Sequence, residues 1–161
     1  FHPISKVEFI SLLNSKKNYS FSDEELILIN NLFNFSPGKF LKFYFKENSL
    51  MNDYILFIKN FITINKSTQN LSDNIIYELD LKLLFLNNFI KNIISYFTDK
   101  KFNEFTINFE KEVIENLNLN SVLVDKIYNE YNIFQSLLRD ALIYNSNIDD
   151  LIEIFLQKID L

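Results

Sequence analysis

Three lysines follow the only glycine of the chain at spacings typical of one helix face. Gly38 comes after a serine and a proline, and Lys39, Lys42 and Lys46 come after it. Residues at these intervals lie on the same side of a helix, so the helix would present a stripe of ammonium groups. Such a stripe is suited to contact phosphate, either of a nucleotide or of DNA. A row of solvated surface lysines is the alternative, and the spacing fits both hypotheses.

Other residues capable of catalysis are scarce. The chain has no cysteine and a single histidine, His2, so thiol chemistry, Cys-ligated zinc and a serine–histidine–aspartate triad are disfavoured. With one glycine, neither a P-loop nor a Gly-rich dinucleotide-binding turn can be built. The neighbouring acids at 23–25 and 149–150 fall in the first turns of predicted helices, where carboxylates complement the helix dipole. We therefore expect no catalytic residue, no metal and no cofactor.

Charge and hydropathy are those of an ordinary globular chain. The 16 basic and 21 acidic residues give a net charge of −5, which disfavours broad electrostatic capture of nucleic acid. The longest apolar run, residues 54–58, is far shorter than the roughly 20 residues of a membrane-spanning helix. The first residues do not resemble a secretion signal, and we expect a cytoplasmic protein. A start at Phe1 rather than Met predicts a piece of a longer chain.

Asparagine is unusually frequent. The chain has 23 asparagines but one arginine and one alanine, and the asparagines are scattered among apolar residues rather than clustered. We interpret this bias as the product of AT-rich codons, because the favoured residues share codon composition and no common physical role.

Helix-start patterns recur along the chain. Ser5 with Glu8, and Ser22 with Glu25, match the capping box in which each side chain bonds the other residue's free backbone N–H. Pro37, directly after a serine, is a third start because its missing N–H would have been unpaired in any case. Glycine and proline are too rare for repeated hairpin turns. The sequence therefore predicts an all-α fold.

Apolar residues at alternating spacings of three and four mark the buried faces of three helices. They are Leu79, Leu83, Leu86, Ile90, Ile93 and Phe97 in the first; Leu123, Ile127, Tyr131, Phe134, Leu138 and Ala141 in the second; and Ile148, Ile152, Phe155 and Ile159 in the third. Ser121 and Asp149 are the predicted N-caps of the last two helices.

Eight helices and two parts follow from these patterns. The helices are predicted near residues 5–14, 22–34, 36–47, 50–64, 72–98, 107–117, 121–144 and 149–160. Residues 1–48 form a small helical cluster, and residues 49–161 form a helical bundle with longer helices. The predicted boundary lies near residues 47–49.

Residues 32–41, with the sequence LFNFSPGKFL, carry a family resemblance. The segment resembles a motif at the end of the helical lid domain in bacterial DNA polymerase III clamp-loader subunits, above all those of the delta-prime type. The positions that match are Ser36, Pro37, Gly38, Lys39 and Leu41. Phe35 stands where the family usually has glycine, and Phe40 where it usually has alanine. The Asn-Ile-Asp sequence at 147–149 is similar to the start of the last helix in that family.

The resemblance implies both an architecture and a role. Residues 1–48 would be the end of an AAA+ lid with a sensor-2-like helix, in which Ser36, Pro37, Gly38, Lys39, Lys42 and Lys46 face phosphate. Residues 49–161 would be the collar, a non-catalytic scaffold that holds the loader together. Implied partners are the delta and tau/gamma subunits and, indirectly, the sliding clamp and primer–template DNA. Two alternatives remain: the collar of a tau/gamma subunit, and an unrelated helical module that binds a partner in an apolar groove.

Collar assembly requires apolar side chains that point away from the domain's own core. Leu84 and Phe85 in one long predicted helix, and Tyr128 and Leu137 in another, are the candidates because they lie off the predicted core stripes. Each could equally be a core residue, and the sequence leaves this choice open.

Overall fold

The structure is a computed structural model that describes residues 4–15, 19–43, 49–66, 79–144 and 146–159. Within these ranges the chain forms eight α-helices and no strand, which confirms the predicted all-α fold. The helices are α1 Lys6–Asn14, α2 Asp23–Phe33, α3 Pro37–Phe43, α4 Leu50–Lys66, α5 Leu79–Asp99, α6 Asn108–Glu115, α7 Ser121–Tyr144 and α8 Ile148–Lys158. His2, Lys46 and the predicted start of the fifth helix at 72–78 lie outside the described residues. Every described helix is too short or too polar to cross a membrane.

Local capping determines where the first two helices begin. The Glu8 N–H donates to Ser5 Oγ at 3.3 Å, and the Ser5 N–H donates to Glu8 Oε2 at 2.9 Å. The same reciprocal pair joins Ser22 and Glu25, at 3.1 and 2.9 Å. Both predicted capping boxes are therefore confirmed, and Pro37 is the first residue of α3 as expected.

Two predicted caps are wrong by one or two residues. The Asn120 side chain, not Ser121, caps α7, because its Oδ1 accepts the Leu123 N–H at 2.9 Å. At α8 the cap is Asn147, whose Oδ1 accepts the Asp149 N–H at 3.1 Å. In both cases the asparagine directly before the helix accepts a hydrogen bond from a backbone N–H of the first turn. The residue that was predicted as the cap lies inside the helix.

The central helix is α5, which contacts α2, α4, α6 and α7. The predicted stripe is only partly its buried face: Leu86, Ile90 and Ile93 are buried. Neighbours on several sides also bury residues outside that stripe, namely Leu81, Phe85 and Phe89. A stripe drawn for one contact surface is therefore too narrow for a helix packed on several sides.

The α7 and α8 stripes agree more closely with the structure. In α7, five of the six predicted residues are buried, namely Ile127, Tyr131, Phe134, Leu138 and Ala141. In α8 the core residues Ile152 and Phe155 are joined by Leu156. These two helices pack against each other, and one face of each suffices for that contact.

One hydrophobic core extends from Phe9 in α1 to Ile159 after α8. Contacts also cross the predicted boundary near residue 48: the Asn31 side chain donates to the Phe105 carbonyl at 2.7 Å, and the Asn108 N–H donates to Glu24 at 3.1 Å. The two predicted parts therefore share a core, and their division stays a prediction.

The exposed residue Lys100, at the end of α5, has a strained backbone conformation. Lys100 follows the last helical residue with φ of 56°, a left-handed conformation that favours glycine. We expect Lys100→Gly to raise the free energy of unfolding by about 1 kcal/mol, measured by urea denaturation with circular dichroism. Lys100→Ala is the control, because it removes the ammonium and keeps the Cβ atom. Equal stability of the two variants would contradict the prediction.

Candidate functional site

The serine–proline–glycine–lysine segment forms the start of α3. The Ser36 carbonyl accepts the Phe40 N–H at 2.9 Å, the first hydrogen bond of the helix. Gly38 does not have a positive φ, and no heavy atom outside its chain neighbours and its own helix backbone lies within 4 Å of the position that a Cβ would occupy. The Lys39 side chain is exposed. The segment is therefore a helix start that presents a lysine to solvent, and nothing in its geometry requires glycine.

One lysine of the predicted stripe, Lys42, is paired with a carboxylate of another helix. Lys42 Nζ lies 2.5 Å from Asp80 Oδ2 at the start of α5 and 5.1 Å from the Phe43 ring centroid. Lys46 is outside the described residues. The carboxylate of Asp80 already balances the charge of Lys42, so Lys39 is the one exposed lysine of the motif in the described ranges that has no recorded ion pair.

Phe35 adopts the backbone conformation of the residue type that the resembled family has there. Its φ is 50°, and the φ of Asn34, the C-cap residue of α2, is 49°. This left-handed region costs a side-chain-bearing residue roughly 1 kcal/mol and glycine almost nothing. The Phe35 ring lies 5.4 Å from the ring of Phe9, and this packing offsets the backbone cost. The departure from the motif therefore places a side chain at a backbone conformation that glycine adopts without strain.

The acidic residues at the start of α2 have structural roles. Asp23 pairs with Lys6 at 3.0 Å, Glu24 accepts the Asn108 N–H, and Glu25 completes the capping box of Ser22. No group of three or more acidic or histidine side chains in the described ranges is arranged to hold a metal ion.

The four predicted interface residues fall into three classes. Phe85 is wrong as an interface residue because it is fully buried, with its ring 4.9 Å from Tyr54 and 5.6 Å from Phe57 of α4. Leu84 is partly buried against the core. Tyr128 and Leu137 on α7 are 51% and 42% exposed, as collar contacts would require.

Exposed apolar side chains are concentrated on α7 and α8. In the described part of the chain, twelve large hydrophobic residues are exposed, and eight of them lie on these two helices. The eight are Val122, Tyr128, Ile133, Leu137, Leu142, Ile143, Tyr144 and Ile154. Single exposed apolar residues are normal on protein surfaces, but their accumulation on one helix pair is typical of an interaction surface.

A shallow groove runs between α7 and α8 within this surface. Its apolar lining includes Ile133 and Leu137 from α7, and Leu151 and Ile154 from α8. Lys158 and Glu130, 3.1 Å apart, form an ion pair beside it. We call this groove, with the apolar residues Ile133, Leu137, Leu151 and Ile154 that line it, the α7–α8 face. It offers an apolar contact area with a charged edge, which is the usual anatomy of a protein interface.

The most polar feature of the interior is a closed network around Glu110 of α6. Glu110 and Tyr54 are fully buried. The Tyr54 hydroxyl donates to Glu110 Oε1 at 2.5 Å, and Asn92 Nδ2 donates to the same oxygen at 2.9 Å. Asn88 Nδ2 donates to the Tyr54 hydroxyl oxygen at 2.7 Å. The network links α4, α5 and α6.

Burial controls the protonation of this network. Desolvation raises the pKa of Glu110, although the hydrogen bonds from Tyr54 and Asn92 act in the opposite direction. Desolvation, together with the adjacent Glu110 carboxyl, raises the pKa of Tyr54 well above its ordinary value. A tyrosine and a carboxylic acid are suited to proton transfer, but full burial closes these two to a substrate. The network is therefore structural.

Sequence reasoning missed this network. Glu110 lies three residues after Ile107 and four before Ile114, so it occupies a core position of the helix. This spacing could have identified Glu110 as a buried carboxyl group. Asn88 and Asn92 are one turn apart among apolar residues and were attributed to codon bias. Codon bias does not exclude a structural role, because the side-chain amides of these two asparagines donate hydrogen bonds to a buried carboxylate.

Comparison with known proteins gives no assignment: no protein-family model, curated protein or solved structure matches this chain. The clamp-loader resemblance therefore rests on the motif and the order of elements alone.

The Glu110 network predicts a pH dependence of stability. The raised pKa of Glu110 means that its favourable contribution is fully present below about pH 4.5, the ordinary value, and is lost as the pH rises through the folded-state pKa. Glu110→Gln is always uncharged, so we expect its stability relative to the wild type to increase as the pH rises through this window. Urea denaturation at a series of pH values from 4 to about 8 measures the difference.

Two further variants delimit this result. Glu110→Ala leaves the Tyr54 hydroxyl and the Asn92 amide without their acceptor, and we expect it to lower the free energy of unfolding by about 3 kcal/mol. Glu112→Gln, at an exposed position of the same helix, is the control and should follow the wild type at every pH. Parallel curves for Glu110→Gln and the wild type would contradict the assignment.

Gly38 offers a separate test of the α3 segment. Since its φ is not left-handed and the space beside it is open, we expect Gly38→Ala to leave the free energy of unfolding unchanged or to raise it by up to about 1 kcal/mol. Thermal unfolding of the variant beside the wild type measures this change. A clear loss of stability would show that the position requires glycine for the fold itself.

Proposed function

We propose that this chain is a non-catalytic protein-interaction module that assembles with its partners through the α7–α8 face. The observation that carries the proposal is the accumulation of eight of the twelve exposed large hydrophobic residues on two adjacent helices. Their burial in a complex would contribute a favourable apolar term of about 25 cal/mol for each Å² removed from water. The described residues present no catalytic constellation that competes with this proposal.

The partners are proposed from the motif at the start of α3. Its resemblance to delta-prime-like clamp-loader subunits makes the delta and tau/gamma subunits the proposed partners, with the helices after residue 48 acting as the collar. The left-handed φ of Phe35, where the family usually has glycine, supports this proposal because the chain path there is one that glycine adopts without strain. The sliding clamp and DNA would be reached only through the assembled loader, at a cytoplasmic site of DNA replication.

Phosphate contact by the α3 lysines is a minor part of the proposal. Lys42 is paired with Asp80, and α3 is only seven residues long. Lys39 is exposed at its start and is the remaining sensor-2-like candidate. The proposed function therefore depends on protein contacts and not on nucleotide binding.

Assembly with the loader subunits is the direct test. The chain is mixed with the delta and tau/gamma subunits of its source bacterium, and the complexes are measured by native mass spectrometry. We expect a defined hetero-complex that contains one copy of the chain. A folded chain that forms no complex with competent partners would overturn the clamp-loader assignment.

A charge at the α7–α8 face should weaken this assembly. Leu137→Glu places a carboxylate in the groove between the helices, where a bound partner would exclude water, and we expect at least a tenfold weaker complex, about 1.4 kcal/mol. Val7→Glu on α1, where Val7 is also exposed, is the matched control and should assemble normally. Equal affinities of the two variants would exclude the face, provided that circular dichroism shows both to be folded.

An unrelated helical module that binds a peptide is the second candidate, and the shallow groove lined by Ile133, Leu137, Leu151 and Ile154 favours it. An amphipathic partner helix could place its apolar side chains there. The two candidates use the same face and differ in partner, so the assembly measurement separates them. The collar of a tau/gamma subunit would use this face in the same way and would differ in the number of copies in the complex.

A further inference from the structure

A second concave surface lies where α4, α5 and α8 meet. The cleft has a volume of about 270 Å³. Its apolar lining consists of Phe57 and Phe61 from α4, Leu86 from α5, and Ile152 and Leu156 from α8. Its charged lining consists of Lys82, Asp149, Asp150 and Glu153. The cleft is therefore an apolar cavity bordered by one cation and three carboxylates.

The charges of this lining do not balance. Lys82, whose side chain is 16% exposed, pairs with Asp149 at 3.0 Å, so these two charges neutralise each other. Asp150 and Glu153 remain, one helical turn apart on α8, and in the part of the chain that the structure describes neither side chain forms a hydrogen bond or an ion pair. The lining thus carries a net charge of −2, and its two unbalanced carboxylates lie on the same helix face.

The positive end of the helix dipole stabilises only one of these two carboxylates. Asp150 lies in the first turn of α8, where a negative charge is favourable. Glu153 lies beyond that turn and is partly buried beside an apolar surface. Partial burial of a carboxylate without a partner is unfavourable, and a bound cation would remove that cost.

The size of the cleft limits what the cation can be. Pockets that enclose drug-sized ligands are roughly 300–1,000 Å³, so a cleft of about 270 Å³ suits one long side chain. An arginine side chain combines an apolar stem, which can cover Phe61 and Ile152, with a planar guanidinium that donates to two carboxylates. Lysine has the stem but presents a compact and more strongly hydrated charge.

We propose that the cleft between α4, α5 and α8 binds an arginine side chain of a partner protein, with its guanidinium between Asp150 and Glu153. The positive charge complements the net charge of the lining, and the stem covers the apolar residues. This cleft uses a different set of α8 residues from the α7–α8 face, so the proposal does not rest on the proposed function. Loss of one interaction would leave the other intact.

A peptide titration tests the proposal. A capped Gly-Arg-Gly peptide is added to the ¹⁵N-labelled chain, and amide shifts are followed by NMR. We expect saturable shifts at the lining residues with a dissociation constant in the millimolar range, as suits a single side chain. The same peptide with citrulline in place of arginine keeps the shape without the charge and should bind at least fivefold more weakly. Raising the salt concentration should weaken binding of the arginine peptide.

Variants of the two carboxylates locate the site. Asp150→Asn and Glu153→Gln, singly and together, should weaken arginine-peptide binding, with at least a fivefold loss in the double variant. Asp140→Asn, at an exposed position of α7, removes an equal charge elsewhere and should leave binding unchanged. Because the single substitutions are nearly isosteric and at the surface, circular dichroism should show them folded.

Four results would overturn the proposal. The first three are the absence of saturable shifts at tens of millimolar peptide, equal binding of the citrulline peptide, and unchanged binding by the folded double variant. The fourth is a set of shifts confined to α7 and the exposed side of α8, which would place the arginine elsewhere. None of these results would affect assembly through the α7–α8 face.

Discussion

One buried carboxylate constrains how three helices can be arranged. Glu110 accepts hydrogen bonds from Tyr54 and Asn92, and its second oxygen lies near the Ile107 N–H at 3.4 Å. A carboxyl group in an apolar interior is tolerated only while these donors remain in place, because its desolvation cost is several kcal/mol. Apolar contacts would permit α4, α5 and α6 to slide, whereas directional hydrogen bonds fix their register.

The register of α5 determines the surfaces on either side of it. This helix places Asn88 and Asn92 toward Glu110, and Asn87 toward α7, where it accepts from Gln135 Nε2 at 2.7 Å and from the Tyr131 hydroxyl at 3.1 Å. With α7 held in this way, α8 packs on it and closes the cleft at Lys82. The α7–α8 face and the cleft between α4, α5 and α8 are thus both positioned by polar contacts of one helix.

Local features of the fold were predictable and long-range features were not. The capping boxes at Ser5 and Ser22 depend on residues three positions apart, so the sequence contains the whole interaction. The buried face of α5 depends on helices distant in sequence, so the sequence left open whether Phe85 is an interface or a core residue, and α4 covers it. A stripe of apolar residues indicates which side of a helix faces one neighbouring helix. It does not indicate how many further helices will pack against the other sides.

The candidate sites show the same division. Pro37 and Lys39 were correctly placed at a helix start, yet the partner of Lys42 lies on α5 and could not be identified from spacing. Tyr128 and Leu137 were candidates for either an interface or the core, and both are exposed because α7 has one main buried face. The Glu153 cleft required the meeting of three helices, which no single segment encodes.

The Glu110 network also limits how this sequence can change over evolutionary time. Replacing Tyr54 alone removes a donor from the buried carboxyl, and replacing Glu110 alone leaves the Tyr54 hydroxyl and the Asn92 amide unsatisfied, so each single step is costly. Exchange of both for apolar residues of similar volume, with Asn88 and Asn92 also replaced, would be close to neutral. Among homologous chains, residues 54 and 110 should therefore vary together, and that pairwise substitution pattern would identify distant members of the lineage after surface motifs have diverged.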